Sequence, residues 1–466
     1  MLGGAHVGQK STFTFQTRTV GQSSPVRRAA ATPSVLQSWG EERQIGVTTI
    51  FHPRRGYGKP GWVKDPASRP SDQFGRSLRI PTAYVAGYQI ARRHNPELAK
   101  AYIRHTMVGD PLADAVVDDL APLAPEEGHS ILARALESSR ATRSGMPESL
   151  REFVAQAESV PEWFDTKRAR RASRAFLRNS DIVLAALVGG SIVEGFSTLI
   201  SKSFRIRGRL TSSGVRRLKQ NGIQLVEQYL PGGMEPGRDG WKLTLRVRLV
   251  HAQSRRLIGR SEEWDHERHG EPISAAHVLL AGAAFSGRLM RHVATLGGDF
   301  STEEREAYVH VWRYAGLLMG IPEEILFHDE ESACRTFEIG SLCEPAPDLD
   351  AIIMANSIVN SAPVIVGISE PAERRKVARV VTQASRELIG DELADTFRFP
   401  RKRRKVIPGM RLKHRVRSVL RKVHPRLGAR GNLDRFVALI DFASFDAPEL
   451  SYRLPTALYD DMSSDW

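Results

Sequence analysis

His251 stands in the middle of an apolar helical stripe. Across 242–259 the residues Leu243, Val247, Val250, Ser254, Leu257 and Ile258 recur at helical spacing, with the imidazole among them. A histidine so placed is either a hydrogen-bonded core residue, the commoner fate, or a metal ligand, and residue types alone leave both open. Thirty-four residues earlier, Arg217, Gln220, Asn221 and Gln224 fall at i, i+3, i+4 and i+7, a polar line along one face of a helix expected over 211–230. Val215, Leu218, Leu225 and Tyr229 mark an apolar side beside it. Such a line is more often solvated surface than a site. Other chemistries lack their signatures: there is no GxGxxG after a strand, no Walker A loop, no GxSxG elbow and no HExxH. His266 and His269, in the charged turn HERH, read as exposed surface, and the roles of His277 and His310 stay open.

The elements that must position these residues read as helices from about residue 77 onward. Asp110-Pro111 is an N-cap followed by proline at the first helical position, opening Leu112–Leu120. Further helices are expected at 91–107, 128–142, 147–159, 166–178, 181–200, 211–230, 242–259, 274–294, 302–319, 329–341 and 368–390. The breakers between them include Pro147, Pro161, Pro231-Gly232-Gly233, Pro272 and Pro322. Trp241–Leu249 alternates like a strand, but its continuation restores helical spacing, so it too reads as helix. The fold class is all-α. The stretch Ile182–Ile200 is the most apolar of the chain and, at roughly 28 Å, long enough for a bilayer. Glu194, Ser191, Ser197, Thr198 and the Gly189-Gly190 pair favour a closely packed core helix instead.

Charge is distributed unevenly. The 67 Lys and Arg exceed the 53 Asp and Glu by fourteen, and residues 401–430 alone hold thirteen cations and no acid. The near-neutral remainder argues against a dedicated nucleic-acid binder. Within 401–426, Val416, Val419, Leu420 and Val423 at i, i+3, i+4 and i+7 describe a basic amphipathic helix. An anionic membrane surface is the first reading of that segment, a basic element docked by its apolar stripe the second, and phosphate contact with nucleic acid the third. Residues 431–466 turn acidic, and 1–45 read as a disordered extension without an apolar stretch suited to a signal peptide, which points to the cytoplasm. Residues 46–75, with Phe51, Tyr57 and Trp62, suit an ordered loop. Cys334 and Cys343 form no CxxC pair and no disulfide framework, excluding zinc ribbons and most iron–sulfur sites.

An ordered set of blocks resembles the MpaB / latex-clearing-protein (rubber oxygenase) family of haem-dependent oxygenases. They are GDPLADAVV (109–117), VPEWFD (160–165), GRLTSSGVRRL (208–218), LPGGMEPGRDGWKLTLRVRLVHAQSRR (230–256), Trp264-Asp265 with Gly270 and Pro272-Ile273, and HVWRYAGLLMGI (310–321). They keep their order across about 105–325 of a domain taken as 46–395, with 396–430 as the basic segment. The resemblance implies a globin-like helical core with added helices and one b-type haem. It puts the proximal iron ligand on His251 and a distal-side arginine on Arg217, and so turns His251 from a bland core residue into a ligand. Where latex-clearing proteins carry Lys and Thr, this chain has Gln220 and Asn221, which replaces a possible distal iron ligand with an amide able to hydrogen-bond dioxygen. The implied function is O2-dependent oxidation of an apolar substrate, such as a prenyl or other unsaturated chain; the alternative is a non-catalytic haem- or lipid-binding helical protein at a membrane surface.

Overall fold

The first helices show how local sequence sets the frame. The computed structural model describes residues 78–137, 145–206, 213–401 and 405–423, all within one compact unit, 69–466. The expected extension at 1–45, the loop at 46–75 and the acidic segment at 431–466 lie outside the described residues. Every element is helical, and no strand occurs among the described residues. α1 (Val85–His94) and α2 (Pro96–His105) stand where one helix over 91–107 was expected. Asn95 separates them because Pro96 takes the first helical position of α2, and the Asn95 side chain caps the new helix through the Leu98 N–H. In the same way Asp110 caps α3 (Pro111–Leu120) by accepting from the Ala113 N–H. α5 (Glu148–Glu158) packs on α3, and α4 (Pro125–Glu137) packs on α5.

α6 (Thr166–Ala186) joins two expected helices into one, kinked at Asn179. The kink is satisfied: the Asn179 amide donates to the carbonyls of Ala175 and Asp299 and accepts from the Asp299 N–H. The helix then widens into a π-turn, Leu187–Ser191, and continues as α7 (Ile192–Gly195). Thr166–Gly195 is long and apolar enough to cross a membrane, but 67% of its apolar window is buried inside the protein, as suits a core helix. α8 (Ile200–Ile206) leads to α9 (Ser213–Tyr229) and α10 (Asp239–Gly259).

α10 explains the strand-like alternation around 241–249. Its buried residues include Trp241, Leu243, Thr244, Leu245, Val247, Arg248, Leu249 and Ala252, so the helix is covered on nearly every side and needs no single apolar stripe. After the short α11 (His266–His269) come α12 (Ala275–Ala283), a second π-turn at Ala284–Arg288, α13 (Leu289–Leu296) and α14 (Thr302–Leu318). α14 packs against α6, α9, α10 and α12 and is the centre of the bundle. α15 (Glu330–Cys343) covers α1, α2 and α12. α16 (Leu349–Ile365), which the sequence reading did not anticipate, lies between α9 and α17 (Pro371–Ile389). α18 (Asp391–Thr396) and α19 (Ile407–Val423) close the described chain.

Candidate functional site

The site is built on the hairpin of α9 and α10. The connector turns tightly, with the Gly233 N–H donating to the Leu230 carbonyl and the Trp241 N–H to the Gly233 carbonyl. Just inside it the buried Gln228 Nε2 donates to Thr244 Oγ1 at 3.1 Å. Asn221 lies seven residues before Gln228, and His251 seven after Thr244. Seven residues are nearly two turns, so Asn221 and His251 share the faces of that contacting pair and stand at one height, about 10 Å further along the hairpin. Gln220 is the neighbour of Asn221 on the same stretch. The side chain of Arg217, one turn beyond, lies outside the described residues.

The polar line of α9 is therefore not the solvated face its composition suggested. Gln220 and Asn221 are half-buried, Gln224 is buried with Nε2 directed at Met319 Sδ (3.9 Å), and Gln228 is buried as described. His251 is half-buried, with Nδ1 shielded from solvent.

Two arginines that the sequence reading passed over bracket His251 at i−3 and i+4. Arg248, only 4% exposed, donates through Nε and Nη2 to the Asp110 carboxylate at 2.6 and 2.9 Å and through Nη1 to Gln156 Oε1. Gly320 is required beside this pair. Its φ is +84°, and a Cβ there would run into the Asp110 carboxylate. Arg255 reaches Asp114 at 3.0 Å and the Ile273 carbonyl at 2.6 Å. Ile273 is a β-branched residue at φ +49°, a strained conformation held by that bond and by the Ala275 N–H on the Val108 carbonyl. Asp110 and Asp114 are the cap and the first turn of α3, so both arginines tie α10 to α3 and fix the rotation at which His251 is presented. The signal was present in the spacing Arg248, His251, Arg255 and in the two acids of GDPLADAVV, but nothing in a single sequence pairs them.

His277, His310 and His269 are committed elsewhere. His277 Nε2 lies 2.9 Å from Tyr84 Oη and its Nδ1 faces Ser274, in a buried group where Tyr102 Oη and the Leu199 N–H donate to Glu344. Burial pushes its pKa down, against the opposing pull of Glu344. His310 accepts the Asp165 N–H at Nε2 and stacks on Phe164, and burial, with Arg168 and Arg313 nearby, lowers its pKa to about 4. His269 is not the exposed residue expected from HERH. It is buried with its ring 5.2 Å from Trp264, in a turn pinned by the Trp264 Nε1–H on the Gly270 carbonyl, and burial lowers its pKa to about 4.

A second charged cluster joins the two π-turns. Glu194, which follows the first, accepts from Arg288 at 2.5 and 2.9 Å and from His292 Nε2–H at 2.9 Å. Burial opposes its charge, yet the hydrogen bonds from Arg288 and His292 outweigh it and hold the carboxyl below its ordinary range.

Among the described residues no three His, Cys, Asp or Glu side chains converge as a metal-ion site. A haem brings its own ring nitrogens to the iron and would need one imidazole from the protein; the half-buried His251, with Nδ1 shielded from solvent, has the chemistry for that role.

Residues 174–421 match the family described as ER-bound oxygenase mpaB/B'/Rubber oxygenase, catalytic domain. The rubber oxygenase of Streptomyces sp. (strain K30) is 24% identical over 298 residues, covering 61% of this chain and 68% of that protein. The structure of latex clearing protein LCP in the closed state superposes with a TM-score of 0.51 at 18% identity, over 74% of this chain and 92% of the other, a likeness of fold. Since the matched region spans more than half of its length, the protein belongs to the MpaB/rubber-oxygenase family and is an oxidoreductase of the oxygenase class.

Proposed function

We propose that the protein is a b-type haem oxygenase that uses O2 to oxidise an apolar, unsaturated substrate such as a prenyl chain. What supports this reading is the α9–α10 hairpin, pinned by the Gln228–Thr244 bond, on which helical spacing puts the shielded imidazole of His251 and the amide of Asn221 on the faces that meet. His251 would hold the iron through its neutral imidazole, and Arg217 would serve a haem propionate or the distal rim, as guanidinium geometry suits carboxylates. When bound, the haem supplies the redox chemistry of O2 that no amino-acid side chain provides.

The rest is the work of this chain. Arg248 and Arg255, anchored on Asp110 and Asp114, hold α10 so that His251 keeps one orientation. Gln220 and Asn221 present neutral donors and acceptors where latex-clearing proteins carry Lys and Thr, so they orient polar atoms without adding charge. The substrate class follows the relative named a rubber oxygenase, whose rubber is an apolar unsaturated polymer. Oxygen uptake by haem-loaded protein against a panel of isoprenoids tests the reading. Uptake with a carbonyl product is expected, and reduced turnover in N221A with the absorption spectrum retained; no uptake with any unsaturated chain contradicts the substrate class.

A further inference from the structure

We propose that α19 is a docking face for an anionic lipid surface, seated through Leu412 and Val416 with Arg411 and Arg415 reaching lipid phosphates. The helix uses its two sides differently. Ile407, Met410 and His414, at i, i+3 and i+7, face inward: Ile407 and His414 are buried and Met410 packs against the core. Its N-terminus is fixed by the Glu387 carboxylate, which accepts the N–H groups of Val406 and Ile407, and the α13 terminus at Gly297 lies against Arg411. The helix is thus anchored without the side that carries Val416.

The opposite side carries an apolar pair in water. Leu412 is 66% and Val416 51% exposed, one turn apart, with Arg411 and Arg415 exposed beside them; these arginines and Leu412 also border a groove of about 560 Å3 that runs to Thr295, Glu387 and Ile407. Residues 401–423 contain eleven Lys and Arg and no Asp or Glu. Apolar side chains flanked by long cations on one helical face match a bilayer interface, where the aliphatic groups enter the acyl boundary and the guanidiniums meet headgroup phosphates. A second copy of this chain would bring like charges together. A nucleic acid would satisfy the cations but leave Leu412 and Val416 in water. The inference is independent of the cofactor.

The test is co-sedimentation of the full chain with vesicles of phosphatidylcholine alone and of phosphatidylcholine mixed with phosphatidylglycerol. Binding to the mixed vesicles, weakened about tenfold or more by L412D/V416D and by R411Q/R415Q, is expected. All four side chains are exposed, so both variants should keep the parental melting temperature; if one unfolds, the other carries the same expectation. Failure to bind, equal binding to both vesicles, or binding that both variants leave unchanged overturns the proposal. So does a dimer abolished by L412D/V416D in a chain that ignores vesicles, which would give the face to a second copy, and so does binding to an RNA probe in place of vesicles.

Discussion

The Arg248–Asp110 pair shows what one buried charge is asked to do. Its guanidinium is satisfied by a carboxylate, an amide oxygen and the geometry of a glycine that leaves room for it. Removing one partner strands the other in the interior, so R248A should lose about 3–5 kcal/mol of stability in urea denaturation. R248K, which cannot form the fork, should recover only part of that. His310 makes a prediction of its own about pH. Its folded pKa of about 4 lies below the ordinary 6.5, so the unfolded chain binds the extra proton and stability falls as pH drops from 6.5 towards 4. H310Q keeps an acceptor for the Asp165 N–H but cannot titrate. Between neutral pH and about pH 4.5 it should lose about 2 kcal/mol less stability than the parent, as measured by denaturant unfolding at the two pH values. Neither residue's role is legible from sequence: nothing in RVRL pairs Arg248 with an acid until α3 supplies its partner, and the role of His310 stays open until Phe164 and the Asp165 N–H occupy it.

At the scale of elements, periodicity recovered most helices because polar caps and prolines punctuate them. It failed where burial is uniform. α10 looked half like a strand because it is covered nearly all round, and α16 was passed over because its apolar residues mark no single face and Pro363 lies within it. The π-turns at Leu187–Ser191 and Ala284–Arg288 leave no mark in sequence either, since their extra residue answers to partners across the bundle. Gly190, within the first, has no room for a side chain: a Cβ there would sit 2.5 Å from His292 Cδ2, beside the Glu194 cluster. G190A should therefore cost about 1–3 kcal/mol through overpacking. G128A, in α4 where nothing approaches within 4 Å, should be neutral or stabilise by up to about 1 kcal/mol. Thermal unfolding of the two single variants separates these outcomes.

For the molecule as a whole, the hairpin of α9 and α10 brings distant stretches of sequence to one place, and α3 fixes its orientation. The resemblance to the oxygenase family was legible in blocks of residues scattered over 109–321, while the contacts that join them appear only in three dimensions: Asp110, Arg248 and Gly320 meet at one buried pair. The central claim is that His251 holds a haem iron. Absorption spectra of the purified full chain and of H251A, each expressed with haem precursor and recorded oxidised and dithionite-reduced, test it most directly. The account predicts a Soret band that shifts on reduction in the parent and is lost or strongly diminished in a folded H251A. A parent without a Soret band, or an H251A protein with full haem content and an unchanged spectrum, would contradict it.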